Sequence, residues 1–249
     1  MRLLEPLTPD PRAPLARAHP LAKIAAALVL MVALFMTVDP LTPALVLLAV
    51  LVAVPATGIP PRALLRRTAL LLVAAIGVGA FNALLGGSVA AGVAIAIRLV
   101  GIALTGVVAV ASIDPTELAD ALVQHLHTPR RFTIGALAAF RLMPLFAGEW
   151  ETIAIARRAR GLDDTGPVAR VTGFVSTTRA LLVAAIRRAT RLAIAMDGRG
   201  FAAAGCRTLA RPRPILARDR SLIAAAIAIA LVATAVSIAA GTWRFFLAG

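Results

Sequence analysis

Charge is scarce in this chain: only 15% of its 249 residues are Asp, Glu, Lys or Arg, against about 25% in soluble globular domains. Lysine is nearly absent, since Lys23 is the only one. A phosphate-cradling P-loop places a lysine after a glycine-rich turn, and Lys23 lies in "HPLAKIAAAL" with no such turn before it. The chain therefore has no P-loop of its own with which to hydrolyse ATP. Cys206 stands alone, which excludes an intramolecular disulfide and a cysteine-rich metal centre. No cleavable leader is expected either. Residues 1–20 carry Glu5, Asp10 and several prolines ahead of the first apolar run, unlike the short basic start of a signal peptide.

What fills the space is apolar. Hydrophobic residues make up 60% of the sequence and the mean hydropathy is +0.89, so the chain reads as an all-α membrane protein. Its net charge of +14 comes almost wholly from arginine. These arginines sit between apolar spans, where positive charge records topology or an anionic lipid surface. No nucleic-acid partner is expected.

A helix crosses the hydrocarbon layer with roughly 20 apolar residues. Five stretches meet or approach that length: 21–38, 43–58, 68–85, 89–112 and 222–242. The connection after the second, "GIPPRALLRR", contains Arg62, Arg66 and Arg67, whereas "DPLTP" and "LGGS", after the first and third, contain no basic residue. The positive-inside rule places the N-terminus and the second connection in the cytoplasm. Residues 113–221, which hold seventeen of the arginines, fall on the same side by their charge and by the alternation of the first four spans. The expected organisation is a cytoplasmic start with four transmembrane helices (1–112), a cytoplasmic block (113–221) and a final transmembrane helix (222–249), all in the cell membrane.

Three helices are legible in the middle block. The first opens at "DPTELADALVQHL", with Asp114 as N-cap, Pro115 at the first helical position, Glu117 completing a capping box, and Leu118, Leu122 and Leu126 as one apolar stripe. The second runs from about Phe132 to Arg160, with Pro144 expected to bend it. In the third, about Pro167 to Arg199, Val171, Val175, Leu182, Ile186, Ala189, Ala193 and Met196 share one side, with Arg187, Arg188 and Arg191 opposite. Such a helix lies against a membrane or a partner more readily than it crosses a bilayer.

The last two helices end alike, in "IARRARGLDD" and "AMDGRGF". Gly161 and Gly200 occupy the place just past a helix end, where a left-handed backbone favours a residue without Cβ. The preceding Arg160 and Arg199 then project from the tips. Either one alone offsets the negative end of its helix dipole by ~0.3–1 kcal/mol. Both together make two forked cationic prongs suited to acidic or carbonyl groups on another protein.

These two segments, with "HPLAKIAAALVL", "IDPTELADALVQHLHTP" and "AFRLMPLFAGEWETIAIARRARG", resemble the transmembrane T component of energy-coupling factor transporters. The resemblance covers most of the chain. It implies a scaffold without catalytic residues or cofactor, with two cytoplasmic ABC-type ATPase subunits and a membrane substrate-binding subunit for a vitamin or metal ion such as biotin or cobalt as partners. It also makes the three amphipathic helices coupling helices. The matching docking positions are Ala159, Arg160, Gly161, Gly198, Arg199 and Gly200. Gly198 stands where the family usually has alanine, at a cost of ~1 kcal/mol in helix propensity.

Other residues were weighed against these. Arg98, inside the fourth span, is a candidate intramembrane polar contact, since a charge there costs at least ~2.5 kcal/mol. Asn82 suits a helix–helix hydrogen bond. His125 and His127, two apart on a helix, diverge by about 200° and do not share a metal ion. Glu149 and Glu151 diverge likewise, and contacts within the coupling block suit them better than catalysis. Two rival classes stand beside the scaffold. A membrane enzyme acting on lipids or peptides lacks an acid–base constellation, and the permease of an ordinary ABC transporter has a single coupling helix where this chain has two arginine tips.

Overall fold

The computed structural model describes residues 13–37, 39–86, 88–162, 166–201 and 211–243. Glu5, Asp10, Asp164 and Cys206 lie outside these. The described residues form eight α-helices and no β-strand: α1 Pro20–Met36, α2 Leu41–Ala53, α3 Pro61–Leu85, α4 Val89–Ala111, α5 Pro115–His125, α6 Arg130–Ala159, α7 Pro167–Gly198 and α8 Ala217–Ala239. They divide into two compact units, Met1–Thr128 with Arg213–Gly249, and Pro129–Pro212.

Five helices are long and apolar enough to cross a membrane: α3, α4, α6, Val168–Gly198 of α7, and α8. The number agrees with the sequence reading, and α6 and α7, read there as amphipathic coupling helices, also have this length and composition. α1 and α2 are shorter apolar helices of 17 and 13 residues. Pro55 opens a short 3-10 turn after α2, ended by Gly58 in the left-handed conformation (φ 70°). By contrast α6 and α7 reach 30 and 32 residues, with their arginines spread thinly enough to leave apolar windows.

The first unit is a bundle in which α1, α2, α4 and α8 pack on one another, α3 packs on α4, and α5 on α1. Leu30, Leu34, Val46, Val50, Leu104, Ala226 and Ala233 form its core. Two buried hydroxyls are satisfied within their own helices, as suits an apolar surrounding: Thr68 donates to Leu64 (3.0 Å) and Thr105 to Gly101 (2.7 Å). α3 and α4 meet through small residues. A Cβ on Gly79 would lie 2.7 Å from the Ala96 Cβ, and one on Gly92 would collide with the Gly79 carbonyl. Asn82 donates to Val78 of its own helix (3.0 Å) rather than bridging to another.

A polar knot ties α1, α2 and α8 together. Asp39, 1% exposed, accepts from the Thr42 N–H (2.7 Å) and the Ser237 hydroxyl (2.6 Å). Burial pushes this carboxyl up, yet the hydrogen bonds from Ser237 and Thr42 outweigh burial and hold it below its ordinary value.

α5 begins as its sequence announces. Asp114 accepts from the N–H groups of Thr116 (2.7 Å) and Glu117 (3.2 Å), with Pro115 at the first position. The leucine stripe is not its buried face, however. Ala119 and Ala121 are buried while Leu126 is 56% exposed, because small side chains let the helix approach its neighbour closely. Glu117 is engaged by Arg213.

In the second unit α6 packs on α7, and α6 runs on through Pro144. The side of α7 turned inward carries Gly173, Thr177, Leu181, Ala184 and Arg188. The apolar stripe lies on the other side and is open, with Val171 63% and Ile186 57% exposed. Arg188, opposite that stripe as the sequence places it, pairs with Glu149 on α6, while Arg187 and Arg191 are exposed.

Candidate functional site: two arginine-capped helix ends

α6 and α7 terminate by the same hydrogen-bond pattern. At the end of α6, the Gly161 N–H donates to the Arg158 carbonyl (2.9 Å) and the Leu162 N–H to the Arg157 carbonyl (3.2 Å). At the end of α7, Gly200 donates to Asp197 (2.9 Å) and Phe201 to Met196 (3.1 Å). Both are Schellman motifs, in which the two residues after the cap satisfy carbonyls that the helix leaves open. Gly161 and Gly200 share a φ of 71°, where a Cβ would be strained. Arg160 (φ −88°, ψ 6°) and Arg199 (φ −91°, ψ 10°) are the C-cap residues.

Their side chains are exposed. Among the described residues neither guanidinium has a hydrogen bond or ion pair. Ala159 and Gly198 precede the caps as the last helical residues and are exposed as well. Nothing lies within 4 Å of where a Cβ on Gly198 would stand, so the departure at this position opens no gap and relieves no clash. The backbone closes the α7 tip as fully as the α6 tip.

Around the α6 tip the neighbouring arginines behave differently. Arg157 turns toward α7 and donates to the Ser176 hydroxyl (2.5 Å). With Arg158, Arg170, Trp150, Phe174 and Thr177 it lines a cleft of about 380 Å³. Trp150 and Phe174 meet at 5.3 Å between ring centroids. Arg157 thus ties α6 to α7, while Arg160 at the cap is exposed.

Arg98 has a separate place. Its guanidinium donates to the Phe35 carbonyl (2.6 Å) in the last turn of α1 and lies 5.6 Å from the Phe35 ring centroid. It thus meets the negative end of a helix dipole and a π-face at once, which offsets part of the cost of a charge among apolar spans. His125 bonds through Nε2 to the Arg213 carbonyl (2.8 Å), and its ring lies edge-on to His19 at 4.9 Å. His127, with φ 52°, is the residue that leaves the helical path.

Residues 11–208 match the family of CbiQ, described as cobalt transport protein. This chain belongs to that family. Similar proteins include the energy-coupling factor transporter transmembrane protein EcfT of Staphylococcus aureus, 29% identical over 150 residues, which are 57% of this chain and 56% of that protein. The EcfT of Bacillus subtilis is 32% identical over 162 residues, 61% of each chain, and that of Limosilactobacillus fermentum 34% identical over 113 residues, 42% of each. The matched region spans little more than half the length of the first two relatives. This member of the CbiQ family is thus a multi-pass membrane protein. Glu149 pairs with Arg188 of α7, the contact within its own block that the sequence suggests, whereas the pairing of Glu117 with Arg213 carried no signal in local spacing.

Proposed function

We propose that this chain is a non-catalytic scaffold that couples ATP hydrolysis by two cytoplasmic ABC-type ATPase subunits to a separate membrane subunit that binds the transported solute. The observation that carries the reading is the duplicated helix end. Two long helices close with the same pair of backbone bonds, and each presents one arginine that has no partner among the described residues. Ala159, Arg160 and Gly161 form one docking tip, and Gly198, Arg199 and Gly200 the other. A guanidinium fork delivered from a fixed cap can make charge-assisted bonds to carboxylate or carbonyl groups in a groove. As the ATPases close on nucleotide and reopen, docked tips would move with them, and the open apolar faces of the helices would tilt the solute-binding partner.

In this reading residues 113–221 form the coupling block on the cytoplasmic side, between the spans of 1–112 and the last span of 222–249. The N-terminus is cytoplasmic too. The cargo is a vitamin or a metal ion, and the family description points to cobalt among these. No residue of this chain is assigned a catalytic role, because the chemistry of hydrolysis belongs to the partners. The test is co-purification of the membrane complex with the Arg160→Ala/Arg199→Ala double variant. Loss of both ATPase subunits from an inserted, folded chain is expected. An assembly that stays intact and still drives uptake would overturn the docking role.

A further inference from the structure

The chain leaves its first unit after Thr128 and returns to it at Arg213. The returning residue is fastened to α5 in three ways. Its backbone N–H donates to the Gln124 side-chain oxygen (3.0 Å), its carbonyl is bonded by His125 Nε2 (2.8 Å), and its guanidinium pairs with Glu117. One contact would allow rotation and two would allow rocking about a line. Three contacts, spread over α5 from its first turn to its last, fix both position and direction. Prolines at 212 and 214 flank Arg213 and restrict φ on either side of the fastening.

The anchorage continues into the bundle. α5 packs on α1, and the His125 ring rests against His19 at the start of α1. Just beyond the fastening, Asp219 accepts from the His19 N–H (2.7 Å) and from the Leu216 N–H (2.8 Å), which caps α8. The outgoing end of α5, the returning strand and the first turns of α1 and α8 are therefore held as one block.

We propose that Arg213 is the positioning residue through which movement of the α6–α7 unit is passed to the transmembrane helices. Without it the two chain crossings into that unit would move independently, and displacement at the arginine tips would be absorbed as slack. With it, both crossings act on the start of α8 and on α1 together. This rests on the coupling role proposed above, and it adds the place where the motion enters the bundle.

The experiment has two arms. In the complete complex, reconstituted in vesicles with its ATPases, Arg213→Ala and Gln124→Ala should lower solute uptake per ATP hydrolysed by about tenfold. Co-purification and hydrolysis should stay near the unsubstituted level. Arg213→Lys, which keeps a cation for Glu117, should recover most of the coupling. In the chain alone, spin labels at Leu126→Cys and Ile215→Cys in a Cys206→Ser background should give one narrow distance, broadened by Gln124→Ala. An unchanged uptake ratio, a loss of assembly and hydrolysis in parallel with uptake, or a distance distribution indifferent to Gln124→Ala would each overturn the proposal. If the unsubstituted chain gathers no ATPases, the scaffold reading fails, and the spin-label arm still decides the fastening.

Discussion

Arg188 on α7 forms an ion pair with Glu149 on α6, and its guanidinium carbon lies 5.6 Å from the centroid of the Phe146 ring. The pair joins the two helices with arginine-capped ends, and it is only partly shielded, with side chains 36% and 27% exposed. Solvent screening keeps a pair of this kind to about 1 kcal/mol. A double-mutant cycle of Glu149→Ala and Arg188→Ala, read by thermal unfolding in detergent, should return a coupling energy of that order. A coupling indistinguishable from zero would mean that the aromatic contact, not the carboxylate, holds Arg188.

The glycines behind the arginines separate shape from charge. Gly161→Val or Gly200→Val keeps every charge but forces a β-branched residue toward φ 71°, at a cost of roughly 1–2 kcal/mol or more per site. The tip should unwind and partner binding should weaken although Arg160 and Arg199 remain. Undiminished co-purification would show that cap geometry is irrelevant to docking. Conversely, Gly198→Ala meets no atom within 4 Å and should stabilise the end of α7 by up to ~1 kcal/mol.

At the α3–α4 seam the expectation is loss. Gly79→Leu places a side chain where even a Cβ would sit 2.7 Å from Ala96 Cβ. In a membrane setting this close small-residue packing is the main source of helix association. The variant should drop in yield and melting temperature, whereas Gly77→Leu on the same helix, with nothing within 4 Å of its Cβ position, should not. Equal behaviour of the two would argue that α3 and α4 do not cross here.

Acid should loosen the junction of α1, α5 and α8. Burial first, then the neighbouring His125, lowers the His19 pKa from 6.5; Asp219 raises it, and Arg213 lowers it through its charge and raises it through its backbone. The folded chain therefore favours neutral imidazole, and unfolding takes up a proton between the lowered value and 6.5. Stability contributed by His19 is complete above about 6.5 and declines as pH falls through that window. His19→Asn should flatten this part of a pH–stability curve. A slope that persists unchanged would assign it to another group.

Local signals in the sequence carried the helix ends: Asp114 before Pro115, and Gly161 and Gly200 after arginine, act within five residues, so spacing alone reveals them. Which face of a helix turns inward was harder. On α7 the large apolar side chains form a true stripe, but Gly173, Thr177 and Ala184 allow the closer approach and face α6. Hydrophobicity ranks a helix's faces for burial in water, and beside lipid that ranking no longer chooses the protein partner. Pairs such as Glu117 with Arg213, 96 residues apart, depend on tertiary placement that no periodicity encodes. The tips were legible because each is a property of one turn; the means of holding them was not, because it belongs to two helices at once.

The matching closures of α6 and α7 bear on who can be recruited. Two ends that agree to within a few degrees at the arginine and at the glycine present the same backbone mould twice, while Arg157 and Arg158 stand behind one and Met196 and Asp197 behind the other. In the docking role proposed above, two different ATPases would be told apart by those flanking side chains and not by the cap itself.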